Sequence, residues 1–362
     1  TEQAAGHNVA VAKGAVLPSL SANLGLSYRK NDTTAAVTTI DDDRVTSTVG
    51  LTLTVPLYQA GAEYASVRRA QQVRSQRMLE IVDDLGEMGV QAVTFSGGGE
   101  PFCYPHLAQT LQALSARGVA FASLTNGSRL HGELAEIFAQ DGTWLRVSLD
   151  GWDNPSYAAY RGVAEGEFDR LLENMRGFKR LGGKCLLGVS LIVDARNHPH
   201  VGQTIARLRD LGVDSVKVSP CIVSNDGAEN NRYHAPFFAG VKEQVAQAKA
   251  SCATQGFEVY DAYHALDEKF RKPYDWCPYQ QILAVIGADL RVYSCQDKAY
   301  NLDSGCLGSI EHTRFRDFWF AGKDKFFAIR PSRDCDHHCV ANAKNGMVLE
   351  YLEADRDHLG FV

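Results

Sequence analysis

Nowhere in its 362 residues does the chain offer a run approaching the roughly 18 consecutive apolar residues of a membrane helix, which excludes helical membrane spans. Basic excess is missing too. With 37 Lys and Arg against 43 Asp and Glu the net charge is −6, so no basic stripe is available to neutralise a nucleic-acid backbone, and nucleic acid is excluded as a partner. Cysteine is absent from the first 102 residues, whereas the last 86 hold five of the nine: Cys277, Cys295, Cys306, Cys335 and Cys339. An odd total with a terminal C-x3-C pair makes a poor disulfide framework and points to a metal or iron–sulfur site in a reducing compartment. Residues 75–362 are therefore expected in the cytoplasm. A composition of 45% apolar and 22% charged residues excludes disorder, and the length suggests two or three domains of about 150 residues each. Thr1 falls inside a helical pattern with no leading methionine or signal segment, so the start reads as a cut end.

Residues 1–74 carry two strictly alternating stretches. Leu20, Ala22, Leu24, Leu26 and Tyr28 alternate with small polar residues, and Val49, Leu51, Leu53, Val55 and Leu57 do the same after a polar loop containing Asp41, Asp42 and Asp43. Two dyad strands of about ten residues fit outer-membrane barrel strands, and equally an amphipathic hairpin packed on a globular core. With Leu17 and Pro18 entering the first strand and Pro56, Leu57, Tyr58 and Gly61 leaving the second, the segment resembles half a repeat of TolC-like outer-membrane efflux proteins. The resemblance implies membrane contact for this fragment alone. One hairpin cannot close a barrel, so the fragment is no working channel.

From Ser75 the pattern changes to helices alternating with buried strands. A helix is predicted over 75–88, and strands near 91–95, 119–124, 144–149, 184–193 and 215–219, with helices such as Phe168–Leu181 and Val201–Leu211 between them. That order means βαβ units and a parallel sheet or barrel, whose chemistry sits at the carboxyl ends of the strands. Those ends read Ser96-Gly97-Gly98-Gly99-Glu100-Pro101, Thr125-Asn126-Gly127, Ser148-Leu149-Asp150-Gly151, Asp194-Ala195-Arg196-Asn197 and Ser219-Pro220. A glycine run lets the backbone approach a ligand and offer it N–H groups, although such a run also serves simply as a turn.

In their order and spacing, FSGGGEP, LTNG, VSLDG and YRG resemble the radical S-adenosylmethionine (radical SAM) enzymes. The resemblance implies that Gly98, Gly99 and Glu100 hold the amino group of the methionine moiety, and that Ser148 and Asp150 meet its ribose or methionine part. It places Thr125 beside them on the rim, sets Arg161 against substrate or the methionine carboxylate, and puts Val218 and Ser219 on the strand flanking the adenine. For Thr125 and Arg161 a turn residue and a surface arginine are the alternatives. Cys103, Cys185, Cys221 and Cys252 stand alone and read as buried inert thiols. The family's CxxxCxxC loop, which supplies three thiolates to a four-iron four-sulfur cluster, has no counterpart here, since no cysteine precedes Cys103. The chain therefore reads as a join of two unrelated segments near residues 70–77, unable to cleave S-adenosylmethionine.

Beyond a connector helix and strand over 226–265, residues 266–362 gather the remaining cysteines. Cys277 is separated from Cys295 by seventeen residues, and Cys335 from Cys339 by three. Four thiolates suit an iron–sulfur cluster, and also zinc; a fold without metal is the third possibility. The arrangement resembles the twitch or SPASM extension of radical SAM enzymes, which implies an auxiliary four-iron four-sulfur cluster on Cys277, Cys295, Cys335 and Cys339. IGADLRVYSC resembles that family's strand-turn-strand entry, with Leu290 where a glycine is common. Cys306 is a spare ligand or a free thiol, and His337 and His338 are surface residues or hydrogen-bond donors to cluster sulfurs.

The expected fold is α/β: a partial parallel (β/α) TIM-like barrel over 75–225 and a small C-terminal iron–sulfur domain, preceded by a β-hairpin and helix over 1–74. The expected activity is radical-mediated oxidation or modification of a peptide, sugar or other small substrate, with a reductant such as flavodoxin or ferredoxin. The rival readings are an efflux-component fragment and a metal-binding protein without S-adenosylmethionine chemistry.

Overall fold

The computed structural model describes residues 19–35, 38–54, 62–97, 99–251, 256–263, 270–299 and 305–354, those up to 74 by backbone alone. Gly98 and Cys252 lie outside the described residues, as do Leu17, Pro18, Pro56, Leu57, Tyr58 and Gly61 of the efflux-like signature. The chain divides into two compact units, Thr1–Arg77 and Met78–Val362.

In the first unit, β1 (Ser19–Ala35) and β2 (Thr38–Thr54) form an antiparallel pair whose register runs from Ala35↔Thr38 to Ser19↔Thr54. The ladder is longer than the alternation alone predicts, and Asp41, Asp42 and Asp43 lie in β2 rather than in a loop. Helix α1 (Ala62–Glu87) leads from this unit into the next.

The second unit is built on six parallel strands: β3 (Ala92–Phe95), β4 (Ala120–Thr125), β5 (Trp144–Leu149), β6 (Leu186–Val193), β7 (Ser215–Pro220) and β8 (Glu258–Asp261). They lie side by side in sequence order. Between them run α2 (Leu107–Ala116), α3 (Gly132–Asp141), α4 (Asn154–Arg161), α5 (Glu167–Leu181), α6 (Val201–Leu211), α7 (Gly227–His234) and α8 (Phe238–Ser251). This is a partial parallel α/β barrel. The stretch read as a connector supplies its sixth strand, through Val216↔Val259.

Burial along the strands separates two faces. In β5, Leu145, Val147 and Leu149 are fully buried, while Trp144, Arg146 and Ser148 on the other face are only partly covered. In β7, Val216 and Val218 are buried and Ser215, Lys217 and Ser219 are not. The buried face packs with Leu171, Met175, Ile205 and Val241 from the helices, and the opposite face forms the concave inner surface. Fully burying one such aliphatic side chain is worth about 1.5–3 kcal/mol, so this layer dominates the unit's stability. Among the described residues β3 pairs only with β4 and is an edge strand.

A second, smaller core is formed by Leu290, Val292, Ile310 and Phe315, with Ile81 and Leu85 of α1 and Met88 just after it packed against it. Its sheet has β10 (Arg291–Tyr293) between β9 (Val285–Ile286) and β11 (Cys306–Ser309). Three helices follow: α9 (Phe315–Phe320), α10 (Pro331–Asp334) and α11 (Asn342–Glu353). Arg314 reaches from this region to Asp84 of α1 at 2.6 and 3.1 Å.

Candidate functional site

At the carboxyl end of β3 the chain turns through Gly97 and Gly99 into Glu100, which caps the one-turn helix Pro101–Cys103. Glu100 Oε1 accepts hydrogen bonds from Phe102 N at 3.1 Å and Thr125 Oγ1 at 2.7 Å, and Oε2 accepts one from Asn126 N at 2.7 Å. One carboxylate thus joins the ends of β3 and β4. A carboxylate has about four acceptor sites, and three are used, so a position on Oε2 remains for a cationic donor. Around Gly99 nothing would lie within 4 Å of an added Cβ, which leaves a ligand room to approach. Gly127 closes the next turn at φ +74°, with its N–H bonded to Thr125 Oγ1 at 3.0 Å. Any Cβ there would also meet Leu171 Cδ1 at 2.4 Å.

The end of β5 is joined to α4, which a capping box between Asp153 and Ser156 starts. Arg161 in its last turn pairs with Asp150 at 2.6 Å and donates to Ser148 Oγ at 3.0 Å. Arg161 is therefore no free surface arginine. Burial pushes the Asp150 carboxyl above the ordinary carboxylate range against the pull of Arg161.

A part of this rim that motif reading left unassigned follows β6. Asp194 accepts hydrogen bonds from Tyr160 OH at 2.5 Å and from the backbone of Arg196 at 2.8 Å and Asn197 at 3.1 Å. Burial works to raise its pKa, but these bonds outweigh it and hold the carboxyl below its usual value. Asn197 donates in turn to the Asp150 carbonyl at 3.0 Å, tying the β6 end to the β5 end. Strand register also aligns Ser148, Ser190, Lys217 and Tyr260 in one row across the inner face, with Arg146 two residues below Ser148. Burial lowers the Arg146 pKa, and its Nε is buried without a partner. The polar residues that alternate with Val and Leu in β5 and β7 were the available signal. Ser219 lies on this inner face, whereas Val218 packs its side chain into the helix-facing core and gives its carbonyl to Ala262 N at 2.9 Å.

The isolated cysteines divide. Cys185 is buried, and burial pushes its thiol up to about 12; Cys221 is half-buried with its pKa likewise raised. Cys103 is exposed, contrary to the expectation of a buried thiol, because the one-turn helix directs Phe102 inward instead.

In the C-terminal region Cys277, Cys295, Cys335 and Cys339 are near enough to influence one another's ionisation. Cys277 and Cys295 both oppose ionisation of Cys335, Cys277 opposes that of Cys295, and Cys295 that of Cys339. Burial is the larger influence, pushing Cys335 up to about 11 and Cys339 up to about 12. Metal binding displaces such protons, and soft thiolates suit iron or zinc. Cys277 Sγ accepts a hydrogen bond from Asn345 Nδ2 at 3.2 Å. His337 is buried rather than on the surface, and its Nδ1 has no hydrogen-bond partner. Burial lowers its pKa to about 4, so the ring is neutral. Ligand atoms of Cys295, Asp297 and His337 lie within 4.8 Å of one another, which puts His337 beside the Cys295 thiol. The chemistry of this donor set, thiols that act on one another and an unpartnered imidazole nitrogen beside Cys295, is compatible with a sulfur-ligated metal centre. Cys306, by contrast, is exposed on β11 and donates to Gly308 O at 3.5 Å. A cavity of about 610 Å³ opens beside Cys335, with Asn231, Phe270, Arg271 and Lys272 among its walls.

Comparison with known proteins places residues 61–198 in a match to the radical SAM superfamily. The match begins inside the segment read as efflux-like and takes in α1. An S-adenosylmethionine-dependent nucleotide dehydratase from Flammeovirga pacifica is 31% identical over 78 residues, covering 22% of this chain and 27% of that protein. The chain thus matches about a quarter of that relative's length. The fold is similar to that of Streptococcus suis SuiB bound to S-adenosylmethionine, with a TM-score of 0.52 and 15% identity over 70% of this chain and 59% of SuiB. SuiB bound to its precursor peptide SuiA gives 0.51 at 15%, over 68% and 57%. The enzyme anSMEcpe with bound AdoMet and the Kp18Cys peptide gives 0.53 at 14%, over 73% and 80%.

Proposed function

We propose that residues 61–362 form a radical SAM oxidoreductase or maturase scaffold with a twitch-type auxiliary iron–sulfur domain, and that this chain holds S-adenosylmethionine without cleaving it. The observation that carries the reading is the gathering of the Gly99–Glu100, Thr125–Asn126 and Ser148–Asp150 strand ends along one edge of a parallel sheet by direct hydrogen bonds and register. S-adenosylmethionine beside a reduced iron–sulfur cluster supplies one-electron hydrogen-abstraction chemistry. The protein's own residues bind and orient. Glu100, held in position by Thr125 and Asn126, offers its remaining acceptor site to the ammonium of the methionine moiety. Asp150, fixed by Arg161 and Asn197, presents acceptors to ribose hydroxyls, and Ser219 borders the adenine side. Cys277, Cys295, Cys335 and Cys339 would hold the auxiliary cluster, with His337 Nδ1 against it. No thiolate for a cluster at the S-adenosylmethionine site lies between residue 1 and Cys103.

A peptide or other small molecule reaching from the inner face toward the cavity beside Cys335 is the substrate, with flavodoxin or ferredoxin as the reductant in a cytoplasmic setting. Arg146 and Lys217 on the inner face favour a substrate carrying an anionic group, which supports a nucleotide as a second reading. For residues 1–74 an efflux-type origin rests on the dyad alternation and on the Leu17-Pro18 and Pro56-Leu57-Tyr58 flanks.

Titration calorimetry with S-adenosylmethionine tests the Glu100 role. Glu100→Gln keeps an oxygen for Thr125 but removes the charge, and should weaken binding by about 1.5–3 kcal/mol, the range for a hydrogen bond to a charged group. Unchanged affinity would reduce Glu100 to a turn-closing residue.

A further inference from the structure

Arg146 sits midway along β5 on the concave inner face, in register with Gly188 of β6 and, through it, with Ser215 of β7. It is partly buried, its Nε is enclosed without a hydrogen-bond partner, and among the described residues it pairs with no carboxylate. The guanidinium therefore keeps its fork of N–H donors and its charge for something else. Its neighbours on the rim differ: Arg161 is neutralised by Asp150 at 2.6 Å and Arg196 by Asp194 at 3.2 Å. Glu258 continues the row beyond Ser215, but its carboxylate acts on the Tyr260 phenol and not on Arg146. The Trp144 ring, with its centroid 5.3 Å from Arg146 Cζ, offers the cation a face but no acceptor oxygen. A buried donor left in this state is costly until a partner arrives. The strand beside it keeps room for one. Gly188 has no left-handed φ to explain the glycine, and a Cβ there would come within 2.8 Å of Ser215 Oγ and 3.5 Å of Arg146 Nε. The guanidinium and the Ser215 hydroxyl thus flank the gap over Gly188, and Lys217 adds a second cation one row nearer the strand ends.

We propose that Arg146, Ser215 and the gap over Gly188 form an oxyanion subsite, which holds a carboxylate or phosphate group of the substrate below the rim formed by the strand ends. Two parallel N–H bonds from the guanidinium match two oxygens of either group, and the Ser215 hydroxyl donates a third bond. That the anion belongs to a substrate rests on the reading above; the subsite itself does not.

The test is titration calorimetry of the full chain at fixed ionic strength with two probes, inorganic pyrophosphate and succinate, so that the probe bound separates a phosphate from a carboxylate substrate. Arg146→Gln should weaken binding about tenfold or more, as loss of a hydrogen bond to a charged group does, and Arg146→Lys, which keeps the charge without the fork, should fall between. Gly188→Ala should weaken it with every charge retained. Arg176→Gln, on the exposed face of α5 and paired there with Glu173, serves as the control for net charge and should bind as wild type does. Equal losses in Arg146→Gln and Arg176→Gln overturn the proposal, as does a wild type that binds neither probe. Weaker binding of S-adenosylmethionine to Arg146→Gln with probe binding intact would assign Arg146 to the methionine carboxylate and overturn it too. A wild type that binds a probe through Arg146 but not S-adenosylmethionine would remove the cofactor reading and leave the subsite standing.

Discussion

Leu290 has a φ of +58° in the turn between β9 and β10, a conformation that costs a residue with a Cβ about 1–2 kcal/mol. It stands where the twitch-like pattern commonly has glycine, and the structure shows that this position does take the left-handed form. The side chain is nonetheless 4% exposed in the second core, where burial of a leucine contributes about 1.5–3 kcal/mol before any cavity cost. The burial is the larger effect. Leu290→Gly is therefore expected to lower stability by about 1 kcal/mol despite relieving the backbone, as read by denaturant titration; a gain in stability would mean that strain outweighs packing. At this scale Glu100, Thr125, Ser148 and Asp150 were visible as polar strand ends, and their roles, like the choice of Arg161, came from the resemblance carried by GGE, TNG, SLDG and YRG. Asp194 and Asn197 were named among the strand ends without a role and Tyr160 was not named, because their roles arise only when the ends of β5 and β6 are neighbours in space.

Among the elements, β5 and α6 were legible to the residue, since each combines a clear period with glycine or polar punctuation. The connector over 226–265, expected to hold one helix, holds two, α7 and α8, separated at Ala235-Pro236-Phe237, where proline removes a donor and restricts the residue before it. β8 was read as part of a connector because its four residues include a single buried apolar side chain, Val259, too few for a period. The role of α1 depended on a partner 230 residues away: buried Asp84 accepts from Arg314. A hydrogen bond to a charged group is worth about 1.5–3 kcal/mol, and Arg314 is 40% exposed, so screening reduces this. Asp84→Asn should accordingly cost about 1 kcal/mol, with the loss suppressed in an Arg314→Met background; equal losses in both backgrounds would contradict a direct pair.

The whole molecule should also be acid-sensitive through His234. Its ring is buried, with Nδ1 at 2.9 Å from Tyr263 OH and Nε2 at 2.8 Å from Cys221 O, and Tyr233 packs edge-on against it. Burial lowers its pKa, although the Cys221 carbonyl and the Asp194 carboxylate oppose the shift. The unfolded chain, with a histidine pKa of about 6.5, then binds the proton more readily than the folded one. Stability from this group is present above about pH 6.5 and is lost as pH falls from there toward the folded pKa. His234→Gln should flatten the decline in denaturation midpoint below pH 6.5 relative to wild type; parallel curves would show that the imidazole does not titrate with unfolding.

At the same scale, the four cysteines were legible as a set from their spacing, but their company was not, since Lys272, Lys298 and His337 are brought to them only by the folded C-terminal segment. The central claim is one auxiliary cluster on Cys277, Cys295, Cys335 and Cys339 and none at the S-adenosylmethionine site. Iron and acid-labile sulfide per chain after anaerobic reconstitution test it most directly. The account predicts about four of each, the content of one four-iron four-sulfur cluster, and loss of most of it in Cys335→Ala. About eight of each, or stoichiometric zinc in place of iron, would contradict it.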